Sequence, residues 1–167
     1  MRRRAVRKAV RKAVVVLAAL LILGIVNWSI ASREAMLATG RVVLLELAPV
    51  DPRSLMQGDY MALNYRIANL AFGSARGAHP ADGYLVVGAD ADGVAAFRRF
   101  DDGAPLAPDE VRLRYRWRDG PKFATNAFFF EEGTATRYAR ARYGEFRVSD
   151  DGDMILTRLR GEDRRPL

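Results

Sequence analysis

The sequence predicts a mainly β domain of about seven strands, a sandwich or partly open barrel with one short helix, preceded by an N-terminal transmembrane helix. Two observations carry this expectation. Residues 60–67 and 111–118 alternate apolar and polar side chains with a period of two, the mark of half-buried strands. Residues 13–26 read AVVVLAALLILGIV, with no polar side chain.

Arg2, Arg3, Arg4, Arg7, Lys8, Arg11 and Lys12 place seven cations and no acid in segment 1–12. The rest of the chain holds 20 cations and 20 acids, so the formal charge of +7 belongs to this segment alone. The folded part has no overall basic field, which argues against nucleic acid as a partner. Residues 13–32 then form a stretch of twenty, about 30 Å as a helix and matched to a hydrocarbon core. Trp28 lies near its far end, where an aromatic ring favours the interface, and the preceding cations orient the N-terminus toward the cytoplasm. The expected location is the bacterial cytoplasmic (inner) membrane, single-pass, N-terminus in, with the domain in the periplasm. A cleaved signal peptide is the competing reading, with Ser29-Ile30-Ala31 as a small-x-small site. Residues 33–40 favour a retained signal-anchor, because helix-compatible residues continue to Gly40, a plausible stop.

The absence of cysteine excludes a disulfide framework and a thiolate metal site. The exported domain, residues 41–160 with a polar tail 161–167, must therefore rest on its apolar core. Arg outnumbers Lys 24 to 3, a compositional bias rather than a chemical signal.

Arg41–Leu47 is apolar on both faces apart from Glu46, as expected of a central strand, and Pro49 and Pro52 end it. In the strand 60–67, Met61, Leu63, Tyr65 and Ile67 share one face, with Tyr60, Ala62, Asn64 and Arg66 on the other. Residues 73–83 are loop-like. Tyr84–Gly88 and Val94–Phe100 flank Asp90-Ala91-Asp92-Gly93 as a hairpin. In Val111–Arg118 the apolar side chains point inward and Arg112, Arg114, Arg116 and Arg118 outward. Phe128-Phe129-Phe130 leads to a short helix from about Thr134 to Arg142, with Gly144 as its stop. A last hairpin pairs Glu145–Val148 with Met154–Arg160.

Little here reads as chemistry. GADADG (88–93) superficially resembles a calcium loop, but Gly88 and Arg99 occupy the anchoring ligand positions, so a plain turn is expected. Asp150, Asp151 and Asp153 form an acidic hairpin turn, and no metal or cofactor is expected. His79, the one histidine, lies in a polar loop without a neighbouring acid. The arginine ladder spaces its members about 6.7 Å apart. It reads either as a contact for an anionic surface or as a solvated face paired with acids on its neighbours.

The most specific motif is Gly58-Asp59-Tyr60-Met61-Ala62-Leu63-Asn64-Tyr65. It resembles the GDYXXLXY family of membrane-anchored bacterial proteins at every fixed position: Gly58, Asp59, Tyr60, Leu63 and Tyr65. LAPVDPRSLMQ (47–57), FFFEEG and ARYGEFRV are similar to the family as well. The resemblance implies no biochemical role, but family members look like companions of multi-span membrane proteins, which implies such a partner. Leu63 and Tyr65 fall on the inward face and Tyr60 on the outward one, so Tyr60 is the motif residue that packing explains least. SLMQGDYMAL also resembles the signal-peptidase-like serine protease fold, with Ser54 as nucleophile. Lys122, the one downstream lysine, sits in no matching motif to activate it.

Two classes of function remain. One is a membrane-tethered extracytoplasmic binding or accessory module for a membrane or envelope partner, contacted through Tyr60 and the arginines at 112, 114, 116 and 118. The other is an extracytoplasmic hydrolase using Asp59, Glu132 and Glu145, assisted by Tyr60 or Tyr143, which requires two carboxyls converging across a cleft.

Overall fold

A backbone surrounded by apolar side chains must satisfy its hydrogen bonds internally, and residues Arg2–Thr39 do so as a single 38-residue helix, α1. The computed structural model describes residues 2–48, 60–73, 82–118 and 120–167, with backbone alone for 2–10. Within α1 the stretch Arg11–Thr39 contains an 18-residue window with a mean hydropathy of 2.5. It is long and apolar enough to span a membrane. The helix stops at Thr39, directly before Gly40. The chain divides into two compact units, residues 1–38 and 39–167.

The second unit is mostly strand. In chain order it contains β1 (Arg41–Glu46), β2 (Tyr60–Ala62), α2 (Arg66–Phe72), β3 (Asp82–Ala89), β4 (Ala95–Phe100), β5 (Glu110–Trp117), β6 (Pro121–Lys122), β7 (Ala127–Phe129), α3 (Ala135–Tyr138), β8 (Tyr143–Val148) and β9 (Met154–Arg160). The strands form three sheets, ordered β1-β8-β9, β2-β7 and β4-β3-β5-β6, every ladder antiparallel. Among the described residues no sheet closes into a barrel. All three contribute to one core, whose largest fully buried side chains are Tyr65, Tyr115 and Phe146.

Both hairpins expected from the sequence are present. In the β3–β4 turn the Asp90 carboxylate accepts from the Asp92 and Val94 amides at 2.9 and 2.8 Å. Gly93 adopts φ +80°, where a side chain would be strained. GADADG is thus a turn whose first acid is occupied by its own backbone. In β5, Val111, Leu113 and Tyr115 are buried and the arginines point outward, as the alternation requires.

Three expectations need correction. β1 is buried on both faces, yet it lies at the end of its ladder rather than at the centre. Its open edge is met by the β3–β4 turn, Leu44 N–H donating to Gly93 at 2.8 Å. The strand 60–67 is cut short: the ladder ends at Ala62, the chain stays extended to Tyr65, and α2 begins at Arg66. Ile67, Ala71 and Phe72 bury the inner face of that helix, a spacing of four and five that also fits a helix. The helix near 134–142 shrinks to the single turn of α3. Gly144 does not cap it; it lies within β8 opposite Leu159, where a Cβ would press against Phe146 at 3.0 Å. The tail 161–167 folds back, with Leu167 N–H bonded to Leu159 at 3.0 Å and its side chain packed on the core.

Candidate functional site

Of the GDYMALNY string, Gly58 and Asp59 lie outside the described residues, as do Ser54 and His79. The remainder keeps strict alternation. Met61, Leu63 and Tyr65 are buried, while Tyr60 is 45 % exposed. Leu63 N–H donates to Asn126 at 2.7 Å, and Asn126 Nδ2 returns a 3.3 Å bond to the Leu63 carbonyl. Tyr65 Oη donates to the Thr125 carbonyl at 2.6 Å, and its ring meets Phe123 and Phe146 edge-on. Burial pushes the Tyr65 phenol well above its ordinary pKa. The inward half of the string is therefore structural.

The outward half faces solvent. Tyr60 pairs directly with Phe129 across β2–β7, their ring centroids 5.7 Å apart. Phe129 is 73 % exposed. Two aromatic rings thus share the solvent face of a two-stranded sheet, while Met61 and Phe128, the next pair in register, face the core. Phe129 was detectable in principle: three consecutive phenylalanines on a strand must send one ring outward.

At the other end of the string, Asn64 and Tyr65 border a cleft of about 510 Å³. Its other walls include Asn69 and Phe72 of α2, Asn126, and the Gly120-Pro121-Lys122 corner. Sequence reading missed the cleft because its asparagines come from three separate segments.

The sequence matches the GDYXXLXY protein family over residues 22–159. The chain belongs to the GDYXXLXY family. Comparison with curated proteins and with solved structures finds no match. Within this GDYXXLXY chain the fixed tyrosines differ in kind, since Tyr65 is enclosed and hydrogen-bonded whereas Tyr60 faces solvent.

The arginine ladder of the GDYXXLXY domain is largely neutralised. Arg112 Nε lies 2.7 Å from Asp101, Arg114 is 3.1 Å from Asp153, and Arg118 is 3.4 Å from Asp82. Arg116 is exposed and has no carboxylate partner among the described residues. The three candidate carboxylates have different settings. Asp59 lies outside the described residues, and Glu132 is exposed beside the turn at Gly133. Glu145 is 3 % exposed and gripped by Arg160, by Arg158 at 3.4 Å and by Thr157 Oγ1 at 3.1 Å. Tyr143, half-buried at the start of β8, lies opposite Arg160.

Among the described residues no group of three His, Cys, Asp or Glu is placed to hold a metal ion. In the acidic turn Asp151 bonds Ser149 and Asp153 pairs with Arg114. The Ser149 hydroxyl holds the Asp151 carboxyl below its usual range.

Proposed function

We propose that this chain is a single-pass protein of the bacterial cytoplasmic membrane, N-terminus inside, whose domain is a non-catalytic accessory module docking a membrane or envelope partner. The observation that carries this reading is the exposed Tyr60–Phe129 pair. Large aromatic rings left on a surface are the kind of anchor that protein interfaces bury. A fixed tyrosine of the family string stands in that pair, while the other fixed positions among the described residues, Leu63 and Tyr65, are buried in the core. The seven cations ahead of the apolar helix support the orientation, and the family resemblance supports a multi-span membrane protein as partner.

A photoreactive phenylalanine analogue at position 129 of the full-length chain tests this reading in intact membranes. The expected result is one discrete adduct with a membrane or envelope protein, absent when the analogue replaces Arg116. Equal labelling from both positions contradicts it. A hydrolytic activity of the purified chain that Glu132→Ala abolishes would replace it with the carboxylate-hydrolase reading.

A further inference from the structure

The cleft beside Asn64 combines features that the docking face does not use. Its volume of about 510 Å³ falls in the range of small-ligand sites, roughly 300–1,000 Å³. Asn64, Asn69 and Asn126 line it together with Lys122, and no carboxylate lines it among the described residues. Each amide offers both donors and an acceptor. Asn126 gives one Nδ2 bond to the Leu63 carbonyl, and its side-chain oxygen has no partner among the described residues. Phe72 and Tyr65 supply an aromatic wall.

Charge placement points to the sign of the ligand. Lys122 lies directly opposite Arg116 across β5–β6. Both are exposed, and neither has a carboxylate partner among the described residues. Like charges directly opposite one another on a sheet are unfavourable. The other cross-strand neighbour of Arg116 is Asp82, whose carboxylate is directed instead to the Trp117 N–H at 3.0 Å and to Arg118. Elsewhere the domain pairs arginine after arginine with an acid, Arg66, Arg98, Arg99, Arg112 and Arg114 among them. Lys122 thus brings a cation without a carboxylate partner among the described residues to an amide-lined cleft, with Arg116 opposite it on the neighbouring strand.

We propose that this cleft binds a small organic carboxylate, its charge met by Lys122 and its hydroxyl or amide groups by the three asparagines. The site is independent of the Tyr60–Phe129 face and stands or falls separately.

The test is saturation-transfer NMR on the full-length chain in detergent, with three probes: inorganic phosphate, glucuronate and N-acetyl-alanyl-alanine. Glucuronate or the dipeptide is expected to saturate with Kd below ~10 mM and at least tenfold tighter than phosphate. Lys122→Met should weaken that binding about tenfold, the size of one charge-assisted contact, while Lys122→Arg stays within about threefold of wild type. Both variants should melt with the wild type, because Lys122 is exposed. Tighter binding of glucuronate identifies a sugar-acid class, and tighter binding of the dipeptide a peptide C-terminus. No saturation by either organic probe overturns the proposal. So does phosphate binding as tightly as both, or unchanged affinity in Lys122→Met.

Discussion

The Tyr65 hydroxyl donates a 2.6 Å hydrogen bond to the backbone carbonyl of Thr125, joining the last residue of the GDYXXLXY string to the loop between β6 and β7. Tyr115, the other fully buried tyrosine, has a hydroxyl without a hydrogen-bond partner among the described residues. The two phenols should therefore respond oppositely to losing their oxygen. Tyr65→Phe should cost about 0.5–1.5 kcal/mol, the net worth of a satisfied bond, plus the penalty of stranding the Thr125 carbonyl. Tyr115→Phe should be neutral or mildly stabilising. Thermal melts of the full-length chain in detergent decide the matter; equal losses would contradict these hydrogen-bond assignments.

The same phenol sets a pH dependence. Burial raises the folded pKa of Tyr65 above its ordinary value near 10. Its contribution is fully present below pH 10 and is lost as pH rises beyond it, because the unfolded chain ionises first. The stability advantage of wild type over Tyr65→Phe should shrink by up to ~1.4 kcal/mol between pH 10 and pH 11. Denaturant titrations at pH 8 and pH 11 measure the gap. A gap that widens at pH 11 reverses the sign.

Much of this fold is legible in the sequence because alternation is a local signal. Val111, Leu113 and Tyr115 report their face directly, and Asp90 with Gly93 dictates a turn. The misses are residues whose pattern satisfies two periods. Ile67 continues the strand alternation of Leu63 and Tyr65, but it also stands four and five residues before Ala71 and Phe72, and tertiary packing selects the helix. Gly144 has the composition of a helix stop, while the close approach of Phe146 that requires it is visible only in three dimensions. Tyr60 could be placed outward from sequence, whereas its neighbour Phe129 is 69 positions away and becomes its partner through the register of β2 with β7. The cleft asparagines share this difficulty, since only folding brings Asn64, Asn69 and Asn126 together.

Glu145 is a structural acid in this account. Glu145→Ala leaves Arg160 without its buried carboxylate and removes an acceptor from Thr157. The expected loss is about 2–4 kcal/mol, below the full cost of breaking an enclosed ion pair because Arg158 and Arg160 keep contact with water. Glu132→Ala, at an exposed turn, should cost under ~0.5 kcal/mol. Melts that move equally in the two variants would contradict the burial of Glu145.

Topology is checked separately. A reporter enzyme active only outside the cytoplasm, fused after Leu167, should be active, and the chain should resist alkaline washing from membranes. A soluble chain starting at Ser32 would show cleavage after Ala31 instead of anchoring.

The central claim is that the family string divides at Tyr60, with its inward residues building the core and Tyr60 serving a partner through Phe129. The most direct measurement compares Tyr60→Ser with wild type in the full-length chain, recording both the melting temperature and the yield of the position-129 photo-adduct. Stability should change by less than ~0.5 kcal/mol, as for an exposed side chain, while adduct yield falls at least tenfold. A large drop in melting temperature with an unchanged adduct yield would contradict the claim and make Tyr60 part of the scaffold.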